Sequence, residues 1–317
     1  MSPARHKLTK YFAAFFKRVN PSPTYEEIAA RAHSEIKGLI EDKDGPAGDL
    51  QIRCFLQGSY RRETAIHTIN DVDLVAHCRL SHTSSANQNT RDQIFRAVAD
   101  AILANNRYKD KVKYRKRSIC IKVMLEGIKV EVLPTIRVQG KAYEYEPFYM
   151  FQPEENENID GFWRKGFARY HQSLCTEKNA STSGLFVPMI KVFKHLRFVE
   201  STVSENEAVS FHIECLLYIL KNSIYSGAPC ECIEAVLKAV AGFTPDKAEH
   251  SGIRSPCRDK KLFDPNEWTI TSYREFNQAA AKWYGIAAYA NDQNDKEEAI
   301  RAWKELLGDS YFPRDPK

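Results

Sequence analysis

Asp71 and Asp73 stand one residue apart in the run Asn70-Asp71-Val72-Asp73-Leu74. On an extended strand successive side chains alternate faces, so both carboxylates point the same way. Two like charges aimed at one spot repel unless a cation lies between them, and an all-oxygen donor set suits Mg²⁺ better than zinc. Shortly upstream, Gly58-Ser59-Tyr60-Arg61-Arg62-Glu63-Thr64 reads as a turn leaving a strand. The glycine lets backbone approach a phosphate closely, and successive turn amides can cradle an anion. Metal and triphosphate would then be held side by side, as nucleotidyl transfer requires.

A third carboxylate follows in Ile128-Lys129-Val130-Glu131-Val132-Leu133-Pro134, the second of two β-rich runs joined by Glu126-Gly127 as a tight hairpin. Ile128, Val130 and Val132 share one face of that strand; Lys129, Glu131 and Leu133 share the other. If the second face lies beside the strand of Asp71 and Asp73, the three acids converge and can hold two ions ~3.5–4 Å apart for an in-line displacement at phosphorus. Glu126 competes for the third position, but its place before Gly127 makes it a turn residue.

Each candidate has a plainer reading. An isolated Asp-x-Asp is often a pair of solvated acids on an edge strand, and a lone Glu131 would be an ordinary strand acid; the company of the Gly-Ser turn gives them chemistry. Arg61 and Arg62 either contact phosphates or line a solvated loop. Lys191 lies in an apolar helical stretch where burial without a partner is costly, so a triphosphate is favoured over snorkelling to solvent. Lys109, Lys111, Lys113 and Arg115-Lys116-Arg117 form a basic run, read as a solvated face with a nucleic-acid groove as the minority alternative. Cys230, Cys232, His250 and Cys257 lack the usual ligand spacing of a zinc site and read as ordinary residues.

The 317 residues, 27% charged and 43% hydrophobic, suit an ordinary soluble enzyme of one large or two modest domains. A net charge of +5 favours anionic ligands but falls short of a dedicated nucleic-acid binder. No apolar run is long enough to span a membrane, and the short Tyr11–Phe16 apolar stretch is no signal-peptide core. Eight scattered cysteines fit reduced thiols, and a cytoplasmic location is expected.

The elements that must carry these residues follow from periodicity and punctuation. Helices are expected over 7–20 and 25–42, a strand over 50–57, the metal-bearing strand over 71–78, a surface loop over 81–90 and an amphipathic helix over 91–105. After the hairpin, 152–161 reads as a connector. From about 163 the pattern is almost all helix, over 184–200, 207–226, 229–243, 272–284 and 294–307. The expected fold is α+β: a catalytic core of mixed sheet with flanking helices in residues 1–160, then a mainly helical domain in 161–317.

The Gly58–Thr64 turn ahead of Asn70–Leu74, with the later lone acid, resembles the polymerase-β nucleotidyltransferase superfamily and, more narrowly, the bacterial cGAS/DncV-like nucleotidyltransferases. Met189-Ile190-Lys191-Val192-Phe193-Lys194 is similar to a family helix whose lysine reaches the triphosphate. Ser210-Phe211-His212-Ile213-Glu214 is similar to a helix start where a serine touches phosphate and an aromatic stacks on the base. Ala302 to Phe312 resembles the family's tryptophan and glycine-aromatic terminus. The resemblance implies that Asp71, Asp73 and Glu131 hold two Mg²⁺ ions, for which Mn²⁺ can substitute, with Gly58, Ser59, Arg61, Lys191, Ser210 and Phe211 binding nucleotide. It implies joining of nucleoside triphosphates (ATP, GTP or both, pyrimidines also being compatible) into a cyclic di- or trinucleotide. That product would activate a separate effector protein in antiphage signalling, and an activating protein or RNA ligand is compatible with the family. The alternatives are a linear-oligonucleotide or RNA-end transferase and a non-catalytic nucleotide or RNA sensor.

Overall fold

The computed structural model describes residues 4–81, 87–137, 147–153, 161–200, 203–204 and 207–316. They form two compact units. One comprises Ser22–Glu63 and Thr68–Ser173; the other comprises Met1–Pro21, Thr64–His67 and Leu174–Lys317.

In the N-terminal helical segments, α1 (Thr9–Val19) belongs to the second unit and α2 (Pro23–Ile40) to the first. Ser22 caps α2, its Oγ accepting from the Tyr25 N–H at 3.1 Å, with Pro23 preset for the first turn. The first unit is built on a seven-stranded sheet: β1 (Arg53–Gln57), β2 (Asp71–Ser81), β3 (Val112–Lys113), β4 (Ile121–Leu125), β5 (Ile128–Arg137), β6 (Phe148–Gln152) and β7 (Phe162–Gly166). Their order is β1-β2-β5-β4-β3, with β6 on the second half of β5 and β7 on β6. The β2–β5 pair is parallel and the other pairs antiparallel, so the sheet is mixed. A short helical turn α3 (Gly58–Arg61) leaves β1, and α4 (Gln88–Leu103) follows β2.

Alternation decides which face is covered. Leu74, Ala76, Val130 and Val132 are buried in one cluster with Ile36 and Ile40 of α2 and Ile94, Phe95 and Val98 of α4. The odd-numbered side chains at the start of β2 and β5 therefore point to the opposite face. Glu126 and Gly127, with φ of 49° and 83°, make the two-residue turn with both central residues left-handed that suits a twisted hairpin.

The second unit packs α1 with the later part of α5 (Ala168–Ser181), α6 (Phe186–Val199), α7 (Ser210–Tyr218), α8 (Pro229–Ala241), α9 (Pro245–His250), α10 (Ile270–Asp292) and α11 (Lys296–Leu307). Its core gathers Phe12 and Phe15 of α1 with Phe193, Trp283, Trp303 and Phe312, and the Phe12 and Trp303 rings meet edge to face at 4.9 Å. No described helix is long and apolar enough to cross a membrane.

Several expected boundaries are corrected. Residues 48–50 form a 3₁₀ turn, so the first strand starts at Arg53. Residues 88–90, expected in a loop, form the first turn of α4, which Asn87 caps. The single helix expected over 207–226 is α7 followed by a separate 3₁₀ turn at Asn222–Ile224. Strand β7 runs to Gly166, inside the stretch read as helical. The helix expected over 272–284 is longer, spanning Ile270–Asp292 behind a Thr269 cap. Most of the 152–161 connector and part of the 81–90 loop lie outside the described residues.

His195 of α6 is fully buried. Its Nε2–H donates to the Leu307 carbonyl at 2.8 Å, and the ring packs on Tyr311 at 4.4 Å. Burial lowers its pKa to about 4, so from about pH 6.5 down to 4 the unfolded chain takes up a proton that the folded chain refuses. Stability therefore falls as pH is lowered through that window. Thermal melts between pH 7.5 and 5 are expected to show a falling midpoint, with a flatter profile in His195→Gln; an equally steep profile in the variant would refute this origin.

Candidate active site

The acid face of the first unit is set by strand register. In the parallel β2–β5 pair, Asp71 lies opposite Lys129 and Asp73 opposite Glu131. Directly opposed residues share a face, so all three carboxylates and one ammonium stand on the same side of the sheet. Gln57 of β1 lies opposite Asp73, and the chain turns at Gly58 directly beside that residue. Gly58 has φ +72°, and a Cβ built on it would lie 1.7 Å from Asp73 Oδ2. Only glycine supplies both this backbone conformation and this clearance. Ser59 follows on α3, half buried.

The charges are partly compensated. Lys129 Nζ lies 2.9 Å from Glu131 and 3.6 Å from Asp71, and Lys122 Nζ lies 3.8 Å from Glu131. Asp73 is pushed up to about 6, first by burial and then by the neighbouring Asp71 and Glu131, against the pull of Arg62 and Lys129. Tyr25 of α2 donates its hydroxyl to the Asp71 carbonyl at 3.0 Å, and burial with Asp71 nearby raises its pKa. Arg61 faces Gln172 of α5: with the amide oxygen turned toward the guanidinium, its three nitrogens lie 3.1–3.3 Å away. Glu126 is held by Arg31 and Arg107 at the hairpin turn.

The other three expected nucleotide-binding residues lie in the second unit. Lys191 of α6 is half buried and donates to Asn20 Oδ1 at 2.7 Å. The burial-cost reasoning applies instead to Lys194 one turn on, which is 3% exposed. Its ammonium meets Glu214 Oε1 at 2.8 Å and the Thr64 carbonyl and hydroxyl at 3.1 Å each. Ser210 begins α7, its Oγ accepting from Arg197 at 3.3 Å. Phe211 is half buried, with Lys260 Nζ 5.2 Å from its ring centre. Cys230 and Cys232 are buried core thiols, pushed up by burial to about 11 and about 12.

Two family descriptions match this chain. Residues 7–148 match the Second Messenger Oligonucleotide or Dinucleotide Synthetase domain, and residues 173–285 match the cGAS/DncV-like nucleotidyltransferase C-terminal helical domain. The chain belongs to the bacterial cGAS/DncV-like nucleotidyltransferases. Among its relatives, the cyclic UMP-AMP synthase of Rhodothermus marinus is 23% identical over 270 residues, covering 78% of this chain and 89% of that protein. The cyclic AMP-AMP-AMP synthase of an Acinetobacter species is 24% identical over 314 residues, covering 96% and 84%. In fold, the chain superposes on the Escherichia coli MS115-1 CdnC structure with ATP at a TM-score of 0.70 and 15% identity, covering 96% and 98% of the two chains.

The donor chemistry of this nucleotidyltransferase fits hard divalent ions: three oxygen-donor carboxylates share one face, and Asp73 carries a charge that its neighbours oppose. As the side chains stand, no three His, Cys, Asp or Glu groups among the described residues enclose an ion. Lys129 stands between Asp71 and Glu131, while Asp73 leans on Gly58. Lys129 was legible from alternation as a neighbour of the acids, but no role followed until the register paired it with Asp71. Gln172 gave no signal, because only tertiary packing brings it to Arg61.

Two outcomes are expected. Gly58→Ala should move Asp73 and lower kcat/KM roughly a hundredfold, the scale of a 1 Å misplacement, while the strained left-handed backbone lowers the melting midpoint by a few degrees and leaves the protein folded; near-normal kcat/KM would refute the close approach. Lys129→Met removes an ammonium that competes with divalent ions, so its melting midpoint should be lower than wild type in EDTA and should rise further on adding Mn²⁺. An Mn²⁺ response equal to that of wild type would show that Lys129 does not compete.

Proposed function

We propose that this nucleotidyltransferase joins nucleoside triphosphates into a cyclic di- or trinucleotide with release of pyrophosphate. The observation that carries the reading is the register placing Asp73 opposite Glu131, with Asp71 on the same face and the Gly58-Ser59 turn alongside. Relatives named as cyclic UMP-AMP and cyclic AMP-AMP-AMP synthases support ring-shaped products and favour ATP as one substrate.

Asp71, Asp73 and Glu131 would hold two Mg²⁺ ions, or Mn²⁺ in their place. Bound there, divalent ions supply Lewis acidity to the attacking hydroxyl and charge neutralisation at the phosphoryl oxygens. Glu131 accepts the proton of the acceptor ribose hydroxyl as its oxygen forms a bond to the donor α-phosphorus. The bond from that phosphorus to the bridging oxygen breaks, and the electron pair leaves with pyrophosphate. The Gly58 turn and Ser59 donate hydrogen bonds to the β- and γ-phosphates, and Arg61, steadied by Gln172, adds positive charge. Lys191 and Ser210 serve as further phosphate contacts and Phe211 as a stacking surface for a base. A second transfer on the linear intermediate closes the ring.

The second-messenger description of the matching domain supports a product that acts on a separate effector protein; antiphage signalling within the cytoplasm is the setting that the reading assigns to it. The test is incubation with labelled ATP, GTP, CTP and UTP and Mg²⁺ or Mn²⁺, followed by phosphatase and exonuclease digestion and mass analysis. The expected outcome is a digestion-resistant product, absent from a folded Asp71→Asn/Asp73→Asn variant. Product from that variant would overturn the site, and a product consumed by exonuclease would overturn cyclisation in favour of linear synthesis.

A further inference from the structure

The basic stretch from Lys109 to β4 has no part in the chemistry above, apart from the contact of Lys122 with Glu131. Between residues 109 and 122, Lys109, Lys111, Lys113, Arg115, Lys116, Arg117 and Lys122 face a single acid, Asp110. Among the described residues, the first six of these cations form no ion pair. Lys113, Tyr114, Arg115 and Lys116 are all exposed. A cluster of exposed like charges without counter-charges raises a positive potential that draws anions to it.

The position is defined. Arg91 of α4 is 1% exposed; it donates to the Arg115 carbonyl at 2.9 Å and the Ser118 carbonyl at 2.6 Å, and it stacks 3.7 Å over Phe95. Ser118 closes the turn, its Oγ accepting from the Arg115 N–H at 2.8 Å and its own N–H donating to the Arg115 carbonyl at 2.9 Å. A buried guanidinium thus fixes the backbone that displays Arg115, Lys116 and Arg117. The charges also continue along the sheet. Lys113 lies opposite Lys122, Lys122 opposite Glu131, and Glu131 opposite Asp73. Three strand spacings, about 14 Å, separate the Lys113 and Asp73 positions on one face. Directly opposed lysines repel, and Glu131, 3.8 Å from Lys122, answers only one of the two, so a phosphate beside Lys113 would relieve the pair.

We propose that this sheet edge binds single-stranded nucleic acid, with phosphates on Lys113, Arg115, Lys116 and Lys122 and a base stacked on Tyr114. Tyr114 stands among the cations with 38% of its surface exposed, and a single strand offers it the free base face that a duplex withholds. An anionic membrane fits less well, because its headgroups supply phosphates but no free base face for Tyr114.

The test is fluorescence anisotropy with a labelled 12-nucleotide mixed-sequence RNA, in EDTA and without nucleotides, so that its result does not depend on catalysis. Four phosphate contacts predict a slope of log affinity against log salt near about −3. Lys113→Gln/Lys116→Gln should halve that slope. Tyr114→Ala should weaken binding about tenfold without changing the slope. Melting curves would confirm that these surface variants are folded. The proposal is overturned if the wild type fails to bind, or if the double variant binds as tightly with an unchanged slope. Duplex RNA bound as tightly as single strands, with Tyr114→Ala neutral, would also overturn it, as would retention on phosphatidylglycerol vesicles without RNA binding.

Discussion

The candidate active site depends on one constraint, the register of two parallel strands. With Asp73 opposite Glu131, alternation delivers Asp71 and Lys129 to the same face and sends Leu74, Val130 and Val132 beneath α2 and α4. The apolar side holds the arrangement in place: a one-residue slip would turn buried valines out to water and carboxylates into the core. Burial of one face thus supplies the stability that lets like charges stand together on the other. Their repulsion is moderated locally by Lys129 and Arg62 and registers in the raised pKa of Asp73.

The second unit handles charge differently. Lys194 and Glu214 are both removed from water, and each is satisfied by the other and by Thr64 rather than by solvent. Breaking one member of such a set leaves a buried charge alone, typically a 3–5 kcal/mol loss. His195 is kept neutral by the same lack of water, with the Leu307 carbonyl taking its only ring proton.

Local rules made much of this architecture readable. Alternation in 71–74 and 128–133 was enough to assign faces, because strand side chains have a fixed period, and Glu126-Gly127 announced its turn through a glycine, which tolerates positive φ. What stayed hidden was non-local. Strands β6 and β7 are short, β6 pairing late along β5 and β7 on β6, and their periodicity is too brief to stand out. The buried lysine of α6 is Lys194, while Lys191 is half buried, since which side of α6 faces inward depends on its neighbours, not on its own apolar content. Nothing in the sequence marks Arg91 as an anchor; only the loop that returns to it reveals its function.

The hairpin turn at Glu126-Gly127 touches no reacting atom, yet it acts as a ruler. From the turn, β5 counts four residues to Glu131 while β4 counts back to Lys122, and the two arrive as partners. The ion pairs of Glu126 with Arg31 and Arg107 tie that turn to α2 and to the segment after α4. Loop length is commonly the most forgiving feature of a fold. Here it fixes the partner of the third carboxylate: the buried valines keep Glu131 on its face, and the two-residue turn is what brings Lys122 opposite it.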